Sequence, residues 1–509
     1  MSANASQPEA PERQSGQDRC ATGTPGFDAV LGGGFPVNRF YLIQGDPGVG
    51  KTTLALQFLL QGKRDGNRGL YITLSETKAE LDGVARSHGW DLGAFDILDL
   101  SAIEHQLSMD SQNTMFHPSE VELGQTTRVI LDEVARVKPT LVVFDSMSEM
   151  RLLAQSSLRF RRQMLALKQH FIGLSCTVLF LDDNTAGDQE RNMQSLVHGV
   201  IRLEQMAPEF GAERRRLNVV KIRGSGYRGG YHDYVIRKGG IAVFPRLVAA
   251  EHHRAFDEEP ISSGVANLDD LLEGGLDRGT SNLFIGPAGT GKSTLASAFA
   301  IAAARRGERV AWFGFDENRR TWIKRGRALG LDVEPFVTKG TIRVQQVDPA
   351  ELSPGEFATI VRDDVERNQA RLVVIDSLNG YLNAMPEDRH LALQLHEMLA
   401  YLSQQGCVTI MTLAQHGLVG TMQTPVDVTY IADTVVVLRY FEAFGEVRKA
   451  VSVIKKRSGA HERQIREFQM GGNGLEVGDP LKDFHGVLTG VPTFHGSETM
   501  LKGAGPREG

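Results

Sequence analysis

Short runs of hydrophobic residues alternate along the chain with longer stretches in which apolar and polar positions recur at helical spacing. The apolar runs are five to seven residues long, and the clearest helical stretches are TTLALQFLLQGKR and STLASAFAIAAARR. Apolar runs of this length predict buried strands, and strands that alternate with helices are typical of a mostly parallel sheet covered by helices. The pattern therefore predicts an α/β fold.

The same plan occurs twice in the sequence. Residues 22–53 align without gaps with residues 263–294, and eleven of these 32 positions are identical. A second pair of similar segments is LVVFDS at residues 141–146 and LVVIDS at residues 372–377. Self-similarity on this scale indicates a domain-sized repeat. We therefore expect two α/β domains in tandem.

A charged segment that ends in proline, EHHRAFDEEP at residues 251–260, separates the repeats and is predicted to be the linker. The first domain then covers residues 21–250 and the second covers residues 261–490. Residues 1–20 are polar and are expected to form a disordered N-terminus. Residues 491–509 show no periodicity and are expected to form a flexible tail.

Composition narrows the class of protein. The 509 residues are 41% hydrophobic and 23% charged, which are ordinary values for a globular chain. The net charge of −6 provides no overall basic field, which disfavours nucleic acid and anionic membranes as partners. Without a signal-peptide pattern or a membrane-spanning apolar run, we expect a cytoplasmic protein. Cys20, Cys176 and Cys407 are too few and too scattered for a disulfide framework or a zinc site, and the last two lie in apolar runs that predict core positions.

Two glycine-rich segments match the phosphate-binding pattern G-x-x-x-x-G-K-[ST], namely GDPGVGKT at residues 45–52 and GPAGTGKS at residues 286–293. Each lies between an apolar run and a helical stretch, where backbone N–H groups and the start of a helix favour a phosphate group. The alternative, a strand-to-helix turn without ligand, is disfavoured because both copies carry the motif in register. The residues predicted to bind nucleotide are Gly48, Val49, Gly50, Lys51, Thr52 and Thr53 in the first copy, and Gly289, Thr290, Gly291, Lys292, Ser293 and Thr294 in the second.

A magnesium ion is predicted beside each phosphate site. In P-loop proteins the lysine contacts the β and γ phosphates, while the next hydroxyl and an aspartate at a strand end hold Mg²⁺. The alternative role for such an aspartate is to cap the next turn. The predicted phosphate-neutralising catalytic lysines are Lys51 and Lys292, and the predicted metal ligands are Thr52, Asp145, Ser293 and Asp376.

Acidic residues follow the strand after each P-loop helix. Glu76 in YITLSET and Glu317 in WFGFDEN occupy equivalent positions, and Asp316 precedes Glu317 where the first copy has Ser75. A carboxylate here can orient or deprotonate the group that attacks the γ phosphate. We therefore predict Glu76, Asp316 and Glu317 as catalytic residues, the alternative being solvated charges at a strand end.

Together, the tandem P-loops, the paired LVV-D-S strands and the intervening acidic residues resemble the KaiC family, the double-RecA-domain ATPases and autokinases of the cyanobacterial clock. The resemblance covers about residues 20–495 and includes VVKIRGSG, YIADTVVVLRYFE and IKKRSGAHERQIREF. It implies two tandem RecA-like P-loop NTPase domains that use ATP and Mg²⁺. It also implies homohexamers of stacked rings, with the nucleotide at the interfaces between subunits.

In KaiC-family hexamers a K-x-R strand of one subunit touches the nucleotide of its neighbour. The matching residues here are Lys221 and Arg223 in the first domain, and Lys455 and Arg457 in the second. Cations two residues apart on a strand face the same side, so in trans they would neutralise phosphate charge. The alternative, which the residues alone would favour without the resemblance to the family, is that these four cations are solvated charges of an edge strand.

The chain departs from the family at several positions. Ser75 replaces a glutamate, and Asn383 stands where the second domain of the family has an arginine. The family's Ser-Thr phosphorylation pair becomes Thr429-Tyr430, with Thr424 as a third hydroxyl position. The resemblance therefore implies phosphorylation at Thr429 or Tyr430. A KaiB-like protein is a candidate partner, whereas a KaiA-type activator is disfavoured because the C-terminal tail that it engages is shortened.

Three functional hypotheses remain open from the sequence. The first is an ATP-hydrolysing, self-phosphorylating hexamer that acts as a timing or signalling switch. The second is a RecA-type DNA recombinase or helicase-like motor, which the acidic composition and the absence of an aromatic-basic loop disfavour. The third is a nucleotide-gated scaffold with little turnover.

Overall fold

The computed structural model of the chain describes residues 18–101, 118–183, 193–207, 211–383, 391–415, 430–489 and 492–495. The chain forms two compact units, the first ending at Arg246 and the second beginning at Leu247. Each unit contains a nine-stranded, mostly parallel sheet flanked by helices. The predicted α/β class with two tandem RecA-like domains is thereby confirmed.

The first unit, called domain one below, carries eleven strands among its described residues. They are β1 (Arg19–Cys20), β2 (Phe35–Pro36), β3 (Phe40–Gln44), β4 (Gly69–Thr73), β5 (Asp96–Asp99), β6 (Leu141–Asp145), β7 (Thr177–Asp182), β8 (Gly199–Met206), β9 (Arg214–Ile222), β10 (Tyr231–Arg237) and β11 (Gly240–Phe244). Its helices are α1 (Phe27–Val30), α2 (Lys51–Arg64), α3 (Lys78–His88), α4 (Pro118–Val137), α5 (Met147–Ala154) and α6 (Ser157–Gly173).

The second unit, called domain two, repeats this arrangement. Its strands are β12 (Ser281–Gly286), β13 (Arg309–Gly314), β14 (Ile342–Gln346), β15 (Ala370–Asp376), β16 (Val408–Ala414), β17 (Thr434–Ala443), β18 (Glu446–Lys456), β19 (Arg466–Gly471), β20 (Gly474–Pro480), β21 (Phe484–His485) and β22 (Thr493–Phe494). Its helices are α7 (Ala266–Leu271), α8 (Lys292–Arg305), α9 (Arg319–Ala328), α10 (Glu334–Lys339), α11 (Pro354–Glu366), α12 (Leu378–Asn383) and α13 (Leu391–Gln404).

The two large sheets have the same topology. The strand order is β5-β4-β6-β7-β3-β8-β9-β10-β11 in domain one and β14-β13-β15-β16-β12-β17-β18-β19-β20 in domain two. The first six strands of each order are parallel and the last three continue antiparallel. The carboxyl ends of the parallel strands therefore meet at one edge, where α/β sheets bind their ligands.

The central strands are buried because helices cover both faces of the parallel sheet. Every residue of β3, β4, β6 and β7 is buried, as is every residue of β12. The helix that follows each P-loop packs deep in its domain, and the small alanine side chains of α8 allow it to lie almost wholly buried. The P-loop is thus anchored between a buried strand and a buried helix.

The two cysteines that lie in apolar runs, Cys176 and Cys407, are core residues, as predicted. Cys176 and Cys407 occupy equivalent positions, and each thiol donates to a backbone carbonyl, that of Pro139 at 3.0 Å and that of Ala370 at 3.3 Å. Burial raises the pKa of Cys176 to about 11 and that of Cys407 to about 12, which keeps both thiols protonated and unreactive.

Residues 251–260, predicted as a linker, belong to the second unit. The Gln405 side chain donates to the carbonyl of His252. The Phe256 ring packs against Gly406, and a Cβ at position 406 would lie 2.3 Å from the ring. Gly406 has a φ of 68°, which also favours glycine. In the part of the chain that the structure describes, no helix is both long and apolar enough to cross a membrane.

Candidate active sites

The first P-loop lies between the end of β3 and the start of α2. The Lys51 side chain folds back over the loop, and its Nζ donates to the carbonyls of Gly45 at 2.7 Å and Asp46 at 3.0 Å. Gly48 and Gly50 have φ angles of 86° and 96°, a region that glycine adopts without the steric cost of a Cβ. The lysine ammonium group is therefore held against the first residues of the loop.

The second P-loop has the same construction. Lys292 Nζ donates to the carbonyls of Gly286 at 2.9 Å and Pro287 at 2.7 Å. A Cβ at Gly289 would lie 2.7 Å from the hydroxyl of Tyr440, so this position also needs glycine. Burial lowers the pKa of Lys292 to about 8, and the neighbouring carboxylates of Asp376 and Asp316 oppose that shift. An anionic ligand would favour the protonated lysine further.

Each predicted metal site consists of a hydroxyl group hydrogen-bonded to a buried aspartate. Thr52 Oγ1 donates to Asp145 Oδ2 at 3.2 Å in domain one. Ser293 Oγ donates to Asp376 Oδ1 at 2.9 Å in domain two. Burial raises the pKa of both aspartates, whereas these hydrogen bonds favour the ionised form. The structure thus brings together the residues that the sequence predicts as metal ligands.

A second donor to each aspartate was not identified from the sequence. Tyr71 on β4 donates to Asp145 at 2.5 Å, and Thr412 on β16 donates to Asp376 at 2.5 Å. The two donors lie on non-equivalent strands. In domain two, Trp312 occupies the position of Tyr71 and cannot replace its hydroxyl. In domain one, Leu181 occupies the position of Thr412. One carboxylate oxygen of each aspartate therefore accepts two hydrogen bonds, and the second donor differs between the domains.

This donor set suits magnesium. Mg²⁺ prefers hard oxygen ligands and is usually bound by one or two protein groups together with phosphate oxygens and water. Among the described residues, no group of three or more His, Cys, Asp or Glu side chains could hold a metal ion. A cation here would therefore take most of its ligands from a nucleotide and from water, with the threonine or serine and the aspartate as the protein ligands.

The two candidate catalytic glutamates have different surroundings. Glu76 is half-buried, and its Oε2 is buried and accepts no hydrogen bond from the residues that the structure describes. Burial raises the pKa of Glu76 to about 7, and the charge of Asp145 adds to the shift. Glu317 instead forms a 2.8 Å ion pair with Arg325 of α9, which opposes the rise in its pKa caused by burial.

The residues before these glutamates also differ. Asp316 is exposed and accepts a 2.5 Å hydrogen bond from Ser377, the residue that follows the buried aspartate of domain two. Ser75 is exposed. Asp316 therefore lies beside the second phosphate site, whereas domain one has only Glu76 at the corresponding place.

Domain one contains a charged pair that the sequence analysis missed. Lys51 Nζ lies 3.0 Å from Asp183, at the end of β7, and the neighbouring Asp182 forms a 2.7 Å ion pair with Arg151. In domain two, Ala414 is equivalent to Asp183 and Leu413 is equivalent to Asp182. An anionic ligand would compete with Asp183 for the lysine in domain one alone.

The predicted trans lysines lie on β9 and β18 and the arginines directly follow these strands, and all four side chains bond to the chain's own backbone. Lys221 donates to the carbonyl of Gln194, and Arg223 to that of Ser195 at 3.1 Å. Lys455 donates to the carbonyl of Ala432 at 2.7 Å, and Arg457 to that of Tyr430 at 2.8 Å. The two pairs are equivalent in register, and a contact with a neighbouring subunit remains a prediction.

Of the predicted phosphorylation sites, Thr429 lies outside the described residues, as does Thr424. Tyr430 is described and its side chain is 58% exposed. Its carbonyl accepts the hydrogen bond from Arg457. The tyrosine hydroxyl is thus accessible to a phosphate donor, next to a candidate trans cation.

Comparison with known proteins gives consistent results across the whole chain. A family model described as "ATPase: KaiC" matches residues 20–248 and 261–482. The circadian clock protein KaiC3 of Synechocystis sp. is 26% identical over 496 residues, which cover 95% of this chain and 96% of the relative. The circadian clock oscillator protein KaiC of Rippkaea orientalis is 27% identical over 479 residues, with 92% and 90% covered. That of Parasynechococcus marenigrum is 26% identical over 477 residues, with 92% of each chain covered.

Replacing Glu76 by glutamine is expected to stabilise the nucleotide-free protein at pH 8 but not at pH 5. Because the folded-state pKa of about 7 lies above the ordinary value of 4.5, the stability that this carboxyl contributes is lost as the pH rises through 7. Glutamine does not ionise, so the gain at pH 8 should be about 1–2 kcal/mol after allowing for solvent that reaches the side chain. Denaturant unfolding of the wild-type protein and of Glu76→Gln from pH 5 to 8 measures this difference in the free energy of unfolding.

The matched control is the same substitution at Glu317. Glu317→Gln removes the ion pair with Arg325, which opposes the rise in the pKa of Glu317, so it should stabilise the protein at pH 8 less than Glu76→Gln does. If Glu76→Gln destabilised the protein equally at pH 5 and pH 8, the buried, unpaired carboxyl would not have the raised pKa described above.

Proposed function

The chain belongs to the KaiC family of ATPases, and from this premise we propose that it is a Mg²⁺-dependent, ATP-hydrolysing hexamer whose second domain also phosphorylates its own chain. Such a protein would act as a timing or signalling switch. The observation that carries the proposal is the pairing, in both domains, of a P-loop hydroxyl with a buried aspartate. The names of the relatives as circadian clock proteins support the same role.

The P-loop lysines would bind the phosphate chain of ATP. Lys51 and Lys292 are each held by two backbone carbonyls of their own loop, so the ammonium group is already directed toward the loop's centre. Magnesium, held by the hydroxyl and the aspartate of each site, would neutralise charge that develops on the β and γ oxygens. Preorganised cations of this kind lower the barrier because they need no rearrangement during the reaction.

Hydrolysis in domain one would depend on Glu76. A general base works best when its pKa lies near the working pH, and the pKa of about 7 meets that condition. Glu76 would accept a proton from the water that attacks the γ phosphate. Glu317 is held by Arg325 in an ion pair that must be broken or shared before the carboxylate can do the same. This difference supports slower hydrolysis in domain two, where ATP would persist as a phosphate donor.

The hexamer would place Lys221 and Arg223, or Lys455 and Arg457, against the nucleotide of a neighbouring subunit. Each of these cations donates to a neutral backbone carbonyl, and Arg457 also lies 3.5 Å from Asp433. A phosphate oxygen is a stronger acceptor for a cation than a carbonyl oxygen. A ligand shared across an interface stabilises the assembly by mass action, so assembly would depend on ATP.

Sedimentation velocity with and without saturating Mg-ATP tests this arrangement. We expect hexamers only with the nucleotide, and the double variant Lys455→Ala, Arg457→Ala should need at least tenfold more ATP to assemble because it removes two charged contacts. Arg463→Ala, at an exposed position of the same domain, is the control and should assemble normally. Monomers alone at saturating Mg-ATP in the wild-type protein would rule out the shared site.

Self-phosphorylation in domain two would use a hydroxyl near Arg457. The hydroxyl oxygen of Thr429 would attack the γ phosphorus of ATP held at Lys292 of the neighbouring subunit. The bond to the β,γ-bridging oxygen breaks, ADP leaves, and the hydroxyl proton passes to Asp316 or Glu317. Thr429 is the first choice over Tyr430 because the family position carries a short hydroxyl, and one backbone geometry cannot place both hydroxyls in line with the leaving oxygen.

Intact-mass measurement after incubation with Mg-ATP tests the kinase assignment. We expect one added phosphate that is lost in Thr429→Ala and retained in Tyr430→Phe, with Thr424→Ala as a further control that retains it. A protein that never gains a phosphate, or a phosphate that survives Thr429→Ala combined with Tyr430→Phe, would remove the kinase activity and leave the ATPase switch.

The proposed partners are further copies of the chain and a KaiB-like protein. The second partner is supported by the family membership and by the clock function in the names of the relatives. No observation on the described residues favours a DNA-driven motor, so we do not propose one.

A further inference from the structure

The lysines of the two P-loops have different neighbours. Lys51 Nζ lies 3.0 Å from Asp183 Oδ1, and the lysine side chain is only 10% exposed. Ala414 stands at the position of Asp183 in domain two. Lys292 Nζ contacts two backbone carbonyls and, among the described residues, no carboxylate within ion-pair distance. In the described part of the chain, an opposite charge thus holds the P-loop lysine at the first site alone.

Asp183 directly follows β7, and a neighbouring helix fixes its place at the carboxyl edge of the sheet. Ser148 Oγ of α5 lies 3.3 Å from Asp183 Oδ2 and accepts a 3.4 Å hydrogen bond from the Asp183 backbone N–H. The same hydroxyl lies 3.0 Å from Oδ1 of the buried Asp182, which forms a 2.7 Å ion pair with Arg151. The end of β7 is therefore tied to α5 by polar contacts on two successive residues.

Domain two has apolar residues where domain one has the buried ion pair. Leu413 stands in place of Asp182 and Leu382 in place of Arg151, and both leucines belong to one apolar cluster. A buried ion pair is weak evidence for stability, because an apolar pair of similar size often stabilises the fold as well or better. The structural effect of the pair in domain one is to fix the end of β7, next to the second carboxylate.

The hydroxyl of Ser148 is also replaced in domain two. Asn379 stands at its position, and its side-chain amide bonds to the backbone of Ala414. The amide oxygen accepts from the Ala414 N–H at 2.6 Å, and the amide nitrogen donates to the Ala414 carbonyl at 3.0 Å. The end of β16 is thus held without a carboxylate that could reach Lys292.

A nucleotide at the first site must open an ion pair before Lys51 can contact its phosphates. The Asp183 side chain is 40% exposed, so water compensates only part of that loss. The displaced carboxylate would also lie close to phosphate oxygens, and like charges repel one another. At the second site Lys292 exchanges neutral carbonyls for phosphate oxygens, which costs less.

We propose that Asp183 is an internal competitor for the phosphate chain, and that it lowers the affinity of the first site for nucleotide relative to the second. The proposal rests on the proposed function, since its ligand is the nucleotide of that same site. Lower affinity among closely related sites is mostly faster dissociation. Domain one would therefore exchange its nucleotide with the solution more readily than domain two.

Titration with Mg-ADP tests the proposal in full-length protein that carries Lys292→Ala, so that only the first site binds. ADP is the probe because it is not hydrolysed during the measurement. In this background we expect the added change Asp183→Asn to tighten binding about fivefold, since asparagine neither pairs with Lys51 nor repels phosphate. Stopped-flow release of the nucleotide should slow by a similar factor. Asp132→Asn removes an exposed charge elsewhere in domain one and should change neither value.

The reciprocal change in domain two keeps the test independent of how Asp183→Asn folds. In protein that carries Lys51→Ala, only the second site binds. Ala414→Asp places a carboxylate at the position of Asp183 and should weaken Mg-ADP binding about fivefold. Ala414→Asn, which adds a side chain of the same size without the charge, is the control and should have a smaller effect.

The outcomes separate this proposal from the proposed function. If the Lys292→Ala protein binds one nucleotide and Asp183→Asn leaves its affinity unchanged, the competition is overturned while the nucleotide site stands. Weaker binding in Asp183→Asn would also overturn it, because the carboxylate would then help to hold the nucleotide's cation. If the Lys292→Ala protein binds no nucleotide with or without Asp183→Asn, the ATP site of domain one and this proposal fail together.

Discussion

A buried aspartate at the end of a buried central strand constrains each site, and in these two strands only Arg371 is partly exposed. Asp145 and Asp376 lie within the protein, where an ionised carboxylate is costly unless donors surround it. One of those donors is the hydroxyl of the second residue of the P-loop helix, Thr52 or Ser293. This hydrogen bond joins the start of the helix to the sheet, so the positions of the P-loop and of its lysine depend on it.

The two domains meet this constraint with different residues, and the differences extend into the chemistry. Tyr71 gives the first carboxylate its second hydrogen bond from one neighbouring strand, and Thr412 gives the second carboxylate its second hydrogen bond from the other neighbouring strand. The adjacent candidate glutamate of domain one, Glu76, has a buried Oε2 that accepts no hydrogen bond from the described residues, whereas Glu317 of domain two forms an ion pair with Arg325. A duplicated scaffold thus supports two sites with different electrostatics, which suits a protein whose domains perform different steps.

Local patterns in the sequence predict most of the fold and the centre of each site. The P-loops, the strand-end aspartates and the glutamates are recognisable because each lies in a short local motif, a glycine-rich turn or the end of an apolar run. Tyr71 and Thr412 could not be found in this way, because each lies in an apolar strand run and acts across the sheet. Arg325 lies in α9, which contains several arginines, and only the structure shows which of them forms an ion pair with Glu317.

The central claim is that both domains hold ATP through the same hydroxyl–aspartate and lysine construction. Counting the nucleotides bound per chain in the presence of Mg²⁺ tests it most directly, in the wild-type protein and in Lys51→Ala and Lys292→Ala. We expect two in the wild-type protein and about one in each variant, because each substitution removes the main phosphate contact of one site. A variant that folds normally and still binds two nucleotides would contradict the claim for its domain.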